Sequence, residues 1–341
     1  MELGLVIVLR AIWLAAILPI LIASIPSSKF DWFHEFLLMF ARRGKIMQSS
    51  SHKLTVPQKF FCHFYVLASL WTALLLIAMW VYACMPTLMI SEMSLFPSIV
   101  SELAGGSHDL SSHTSHSIKE NGGILLSVFM LLLMETHLLR RLFESVYVFK
   151  YSPSARMHIF GYFSGLIFYA AAPLSLCCNH IPEVFKFTLS LFQEFILKEK
   201  DRIQGTKFVL SGFVNPLSNL RWYTWIGATI FFWGMIHQHT CHVILGMLRK
   251  NKQQSVDYIV PCGDWFQYVS SPHYLAEIVI YFGLVVARGC SDLTVWLLFG
   301  FVVLLSFFGE KENCLLIQIR NVILISKNHV SYFIVQILQL H

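Results

Sequence analysis

Three histidines, His237, His239 and His242, stand close together in the run GMIHQHTCHVILGMLRK. On a helix His239 and His242 are i,i+3 neighbours and share a face, whereas His237 diverges from His242. Imidazoles in such a place can ligate a metal, line a pocket, or mark a helix end entering the membrane interface. Membrane di-iron enzymes use repeated HxxxH or HxxHH boxes, and the chain contains neither, so no metal is expected. The interface and pocket readings both stay open. Under the second, His237 and His242 are candidates for holding a cofactor near one end of their helix.

A second group follows in YIVPCGDWFQYVSSPHYLAE, residues 258–277. It opens as a loop with Asp264, Trp265 and Tyr268. Ser270 or Ser271 can then cap a helix whose first residue is Pro272. His273 stands at that helix start, where free N–H groups suit a phosphate, and Glu277 lies one turn further in. An interfacial aromatic belt accounts for Trp265 and Tyr268, but not for Glu277. The third group is His137, Arg140, Arg141 and Glu144. Arg141 and Glu144 are i,i+3 and able to pair. The arginines are either a snorkelling helix end or a phosphate clamp.

These residues matter because of what surrounds them. Of 341 residues, 56% are hydrophobic and 13% charged, and mean hydropathy is +0.63. An ordinary soluble domain carries about 25% charged residues, so lipid is the solvent here. An ionisable group within a membrane helix costs roughly 2.5–3.5 kcal/mol on insertion scales and is a functional candidate by default. The net charge of +6 belongs to membrane topology, and no nucleic-acid partner is expected. Eight scattered cysteines form no CxxC pair, which argues against a disulfide framework.

Seven apolar runs are long enough to consider as spans: Leu5–Ile25 (interrupted only by Arg10), Phe60–Ile90, Gly122–Leu139, Ile159–Cys178, Trp222–Leu248, His273–Ala287 and Leu293–Phe308. The last two are short, and the tight turn Arg288–Asp292 makes them a helical hairpin. The expected fold is therefore all-α, a multi-pass transmembrane bundle of six to seven spans. Lys and Arg crowd the segments after the first, third and fifth runs, which places those segments in the cytoplasm and the N-terminus on the luminal side. An amphipathic stretch near Phe185–Leu197 is expected on the luminal surface. Ser107–His116 reads as a polar loop. All three polar groups gather toward the cytoplasmic side.

No GxGxxG after a strand, GxxxxGK[ST] or GxSxG is present. A nucleotide would have to bind between membrane helices. The segments VPQKFFCHFYVLASLW (Val56–Trp71), ETHLLRRLFESVYV (Glu135–Val148), HVILGMLRKNK (His242–Lys252) and GDWFQYVSSPHYLAEIVIY (Gly263–Tyr281) resemble the polyprenol reductase branch of the steroid 5-alpha-reductase family, in its plant form. The resemblance implies a seven-helix reductase of the endoplasmic reticulum membrane that uses NADPH. Its substrate class would be a long-chain polyprenoid whose alpha-isoprene double bond is saturated, feeding dolichol synthesis and protein N-glycosylation. It implies a cofactor site at Arg141, Arg249, Tyr258, His273 and Glu277. The similarity stops near Gly309–Glu310. Residues 1–310 are therefore expected to form the membrane reductase domain and 311–341 a divergent tail, which lacks the Tyr-Pro and basic pattern of the family's end.

Hydride addition needs an electrophilic alkene. The double bond of an allylic alcohol is unpolarised, whereas conjugation to an aldehyde lets the charge rest on oxygen as an enolate. The immediate substrate is therefore expected to be the polyprenal. A hydrogen-bond donor must meet that oxygen, and removing such a donor costs roughly 10²–10³ in rate. His63, Tyr65, Tyr147 and Tyr268 are the candidates, and the sequence does not choose among them. A steroid or other enone reductase is the alternative enzyme. A non-catalytic membrane protein with an altered C-terminus is the alternative outside enzymes.

Overall fold

The computed structural model describes residues 2–25, 32–33, 36–37, 43–44, 54–93, 111–149, 151, 155–197, 220–251, 261–269 and 271–307. Tyr258, Ser270 and the tail 311–341 lie outside the described residues, as do residues 107–110 and the side chain of Arg249.

Apolar composition with few helix breakers produces long helices, as expected. They are α1 (Glu2–Ser24), α2 (Phe61–Met93), α3 (Ser111–Phe143), α4 (Ile159–Cys177), α5 (Ile181–Leu197), α6 (Trp222–Asn251) and α7 (Pro272–Ala287). A final helix, α8, runs Leu293–Phe307. Four stretches, in α1 to α4, are long and apolar enough to cross a membrane, while α7 and α8 are shorter apolar helices. The chain is a multi-pass membrane helical bundle. Its α3 begins at Ser111, so part of the stretch read as a polar loop is helix.

Three short strands add to the helices. Arg43–Gly44, Thr55–Pro57 and Arg156–His158 form a small antiparallel sheet with the last strand in the middle. Arg156 fixes it by donating to the Thr55 hydroxyl at 2.7 Å and the Thr55 carbonyl at 3.0 Å. The sheet ties the entry of α2 to the entry of α4.

The core lies between α2, α3, α4 and the α6–α7 pair, with Trp13 of α1 inserted from the side. Trp13 donates to Ser175 at 2.9 Å, and Trp71 to the Ala170 carbonyl at 3.1 Å. In lipid there is no water to drive helices together, so close packing of small residues does that work. The contact of α6 with α7 shows it. A Cβ on Gly227 would stand 2.2 Å from the backbone nitrogen of Ala287, and one on Gly283 would stand 2.6 Å from that of Phe231. The two helices run antiparallel with backbones nearly touching, and this register brings Gln238 opposite Glu277.

The chain turns sharply between α7 and α8, with positive φ at Gly289 (82°) and Cys290 (57°). Arg288 donates across the turn to Asp292 at 3.2 Å. The expected hairpin is present.

Candidate active site

The end of α3 carries the centre of the polar network. Regular helix gives way there to a π-helical turn, Glu144–Val148, closed by the Phe149 N–H donating to the Glu144 carbonyl at 2.9 Å. Such turns recur at functional sites because they re-aim side chains within a helix. Here the turn follows directly on Arg140 and Arg141.

Glu144 is completely buried, at 0% exposure, and four cationic or imidazole side chains converge on it. Arg140 and Arg141 reach it from its own helix, Arg141 at 3.0 Å. His239 and His242 reach it from α6, with Nδ1 at 2.8 and 2.7 Å from its oxygens. A carboxylate only accepts, so each imidazole presents its Nδ1 proton to it. The sequence expectation that His239 and His242 share a face, with His237 apart, describes this arrangement. His237 instead lies 2.7 Å from Asp264, with Trp265 stacked on its ring at 4.4 Å.

Arg141 also donates to the Tyr65 phenol at 2.6 Å, and its guanidinium lies 5.1 Å from the centre of that ring. Tyr65 is 3% exposed, and Tyr169 packs edge-on against it at 5.3 Å. Gln238 bridges the two halves of the network. Its carbonyl accepts from Arg140, and its amide donates to Glu277 and to the His273 carbonyl. His137, buried, stands 3.6 Å from Glu277.

The structure thus brings Tyr65, Arg141, His242, His273 and Glu277 together among the sequence candidates. His237 and Asp264 form a neighbouring pair on the other side of α6. His63 lies 3.3 Å from the Tyr162 hydroxyl and stacks on Phe60, apart from the network. Tyr147 and Tyr268 are 68% and 81% exposed. Ser271 occupies the cap of α7 but makes no capping hydrogen bond with its side chain. Gln238 was not singled out in the sequence. An uncharged amide within a span was its only signal. Glu144 was read as a partner of Arg141, not as the point where four groups meet.

Two arginines and two carboxylates balance in charge, yet the donor set is not exhausted. Arg140 Nε is buried and has no hydrogen-bond partner among the described residues. Unmet donors on a buried guanidinium fit a phosphate or carboxamide acceptor. Among the described residues, no group of three or more His, Cys, Asp or Glu is placed to hold a metal ion.

Residues 203–311 match the family model of 3-oxo-5-alpha-steroid 4-dehydrogenase, a region that includes α6, α7 and α8. Over 293 residues the chain is 54% identical to polyprenal reductase 2 of Arabidopsis thaliana, covering 85% of each. The chain belongs to the polyprenal reductase family. Polyprenal reductase 1 of Oryza sativa subsp. indica is 46% identical over 316 residues, covering 88% of this chain and 89% of its own. Polyprenal reductase of Homo sapiens is 32% identical over 322 residues, covering 90% and 88%. Polyprenal reductases, with the steroid enzymes of the matched model, are oxidoreductases acting on carbon–carbon double bonds.

Proposed function

We propose that this chain reduces the alkene conjugated to the aldehyde of a long-chain polyprenal, with NADPH as reductant. The observation that carries this is the Tyr65 phenol held by Arg141 inside the network. Because the guanidinium fills the acceptor side of the phenol oxygen, the phenol proton remains for a substrate oxygen. Arg141 also polarises that O–H and strengthens it as a donor.

When bound, NADPH supplies a hydride to the β carbon of the enal. Tyr65 donates a hydrogen bond to the aldehyde oxygen, where the electron pair of the double bond comes to rest as an enolate, and a proton drawn from water then adds at the α carbon to give the saturated aldehyde. Glu144 fixes the guanidinium that aims Tyr65. Gln238 and Glu277, with Arg140 and His273, form the polar wall that would hold the nicotinamide and phosphate portions, and the unmet Arg140 Nε supports that role. Arg249 and Tyr258 enter this reading from the family resemblance. The remaining polyprenoid hydrocarbon stays between helices or in the bilayer.

Loop charges support a luminal N-terminus and a cofactor site facing the cytoplasm. Residence in the endoplasmic reticulum, and supply of dolichol for N-glycosylation, complete the proposal. Purified full-length protein with NADPH should reduce polyprenal and leave polyprenol untouched when no alcohol-oxidising activity is present. Turnover of polyprenol under that condition would sink the aldehyde assignment. A steroid enone turned over faster than polyprenal would instead favour the steroid-type reading.

A further inference from the structure

The end of the bundle opposite the Glu144 network holds a cavity of about 680 Å³. Gly122, on its wall, and Arg141, in the network, lie on one continuous helical stretch and are separated by about 28 Å at 1.5 Å per residue. The cavity therefore lies near the other membrane face. Its volume is that of a pocket for a ligand of moderate size.

Three arginines line it: Arg10 from α1, Arg221 at the entry of α6, and Arg288 from the α7–α8 turn. One acid, Asp292, joins them, and it is taken by Arg288 at 3.2 Å. Arg288 also donates to Ser127 at 3.2 Å. Among the described residues Arg10 donates only through Nε, to the Thr294 hydroxyl at 3.2 Å. Arg221 lies over the Tyr223 ring at 6.0 Å. Among the described residues no carboxylate stands within ion-pair distance of Arg10 or Arg221. Among the described residues, two positive charges thus remain in excess around one concave space. Arg10 stands two turns inside a membrane helix, where an arginine without a counter-charge marks a ligand path.

Asn179 and Ser291 add neutral polar groups, while leucines provide an apolar wall. Planar guanidinium groups converging from three elements suit the tetrahedral oxygens of a phosphate. We infer that this cavity binds a phosphate group, carried either by an anionic lipid or by a soluble phosphate, at a site separate from the reductase chemistry.

The full-length protein tests this in nanodiscs of phosphatidylcholine, alone and with phosphatidic acid. For a lipid headgroup, phosphatidic acid should be enriched about 25-fold in the retained lipid, from roughly fivefold for each of two unpaired arginines. For a soluble ligand, inorganic phosphate or pyrophosphate should raise the melting temperature in pure phosphatidylcholine. R10Q/R221Q should abolish whichever response occurs, and R10K/R221K should restore most of it. Should the double variant fail to fold, R221Q alone, at an exposed position, should still weaken the response about fivefold. Neither response in the wild type, or one that persists undiminished in a folded R10Q/R221Q or R221Q protein, would overturn the inference.

Discussion

Tyr65 on α2 and Arg141 on α3, 76 residues apart in sequence, are joined by a 2.6 Å hydrogen bond from the guanidinium to the phenol oxygen. Under the proposed chemistry this bond leaves one phenol proton to spend on the substrate. Tyr65→Phe should therefore lower kcat on polyprenal by roughly 10²–10³, with the KM for NADPH little changed. Tyr268→Phe and Tyr147→Phe should each cost far less. The check is steady-state kinetics of the three variants in the same lipid. Equal losses in all three would remove Tyr65 from its assigned place.

Glu144 offsets two guanidinium groups without any exposure of its own. Glu144→Gln leaves the pair Arg140 and Arg141 one negative charge short, and breaking a buried pair in this way typically costs about 3–5 kcal/mol. The melting temperature in nanodiscs should fall markedly. Adding Arg140→Gln to that variant should recover part of the loss, since one stranded charge is then gone. A further loss on adding the second change would contradict the view of Glu144 as the common counter-charge.

How much of this was legible beforehand differs from residue to residue. The shared face of His239 and His242, and the divergence of His237 from His242, followed from helical periodicity alone, because all three lie on one unbroken helix. The pairing of Arg141 with Glu144 followed in the same way. The preference for Tyr65 over His63, Tyr147 and Tyr268 that the proposed function makes did not. Side-chain type cannot distinguish four donors, and the distinction rests on a contact between different helices. Gln238 escaped notice because an amide lacks the insertion penalty that made Glu277 conspicuous. The small sheet was missed because strands of two or three residues leave no periodic signal.

His237 and Asp264, 2.7 Å apart, clamp the segment after α6 against that helix. Asp264 holds φ at 48°, in the left-handed region that Asp adopts more readily than most residues. His237→Ala and Asp264→Ala should each raise the KM for NADPH, and the double variant should be little worse than either alone. Additive losses would mean that the two residues act separately.

The α6–α7 contact makes a steric prediction. At Gly227 an added Cβ meets backbone, which cannot swing aside as a side chain would. Gly227→Ala should sharply reduce both the yield of folded protein and the activity. Gly4→Ala, with nothing within 4 Å of its Cβ, is the matched control. Thermal unfolding of the two proteins side by side decides it, and similar melting temperatures would count against the close packing described.

That same glycine contact works as a ruler. It fixes the phase of α6 against α7, and Gln238 meets Glu277 only because both lie a set number of residues from the point of closest approach. One residue inserted between Gly227 and Gln238 would turn everything beyond it by about 100° while the glycines stayed in place. Gln238, His239 and His242 would then all face away from their partners. This stretch of the helix can therefore exchange side chains over evolutionary time, but it cannot change length.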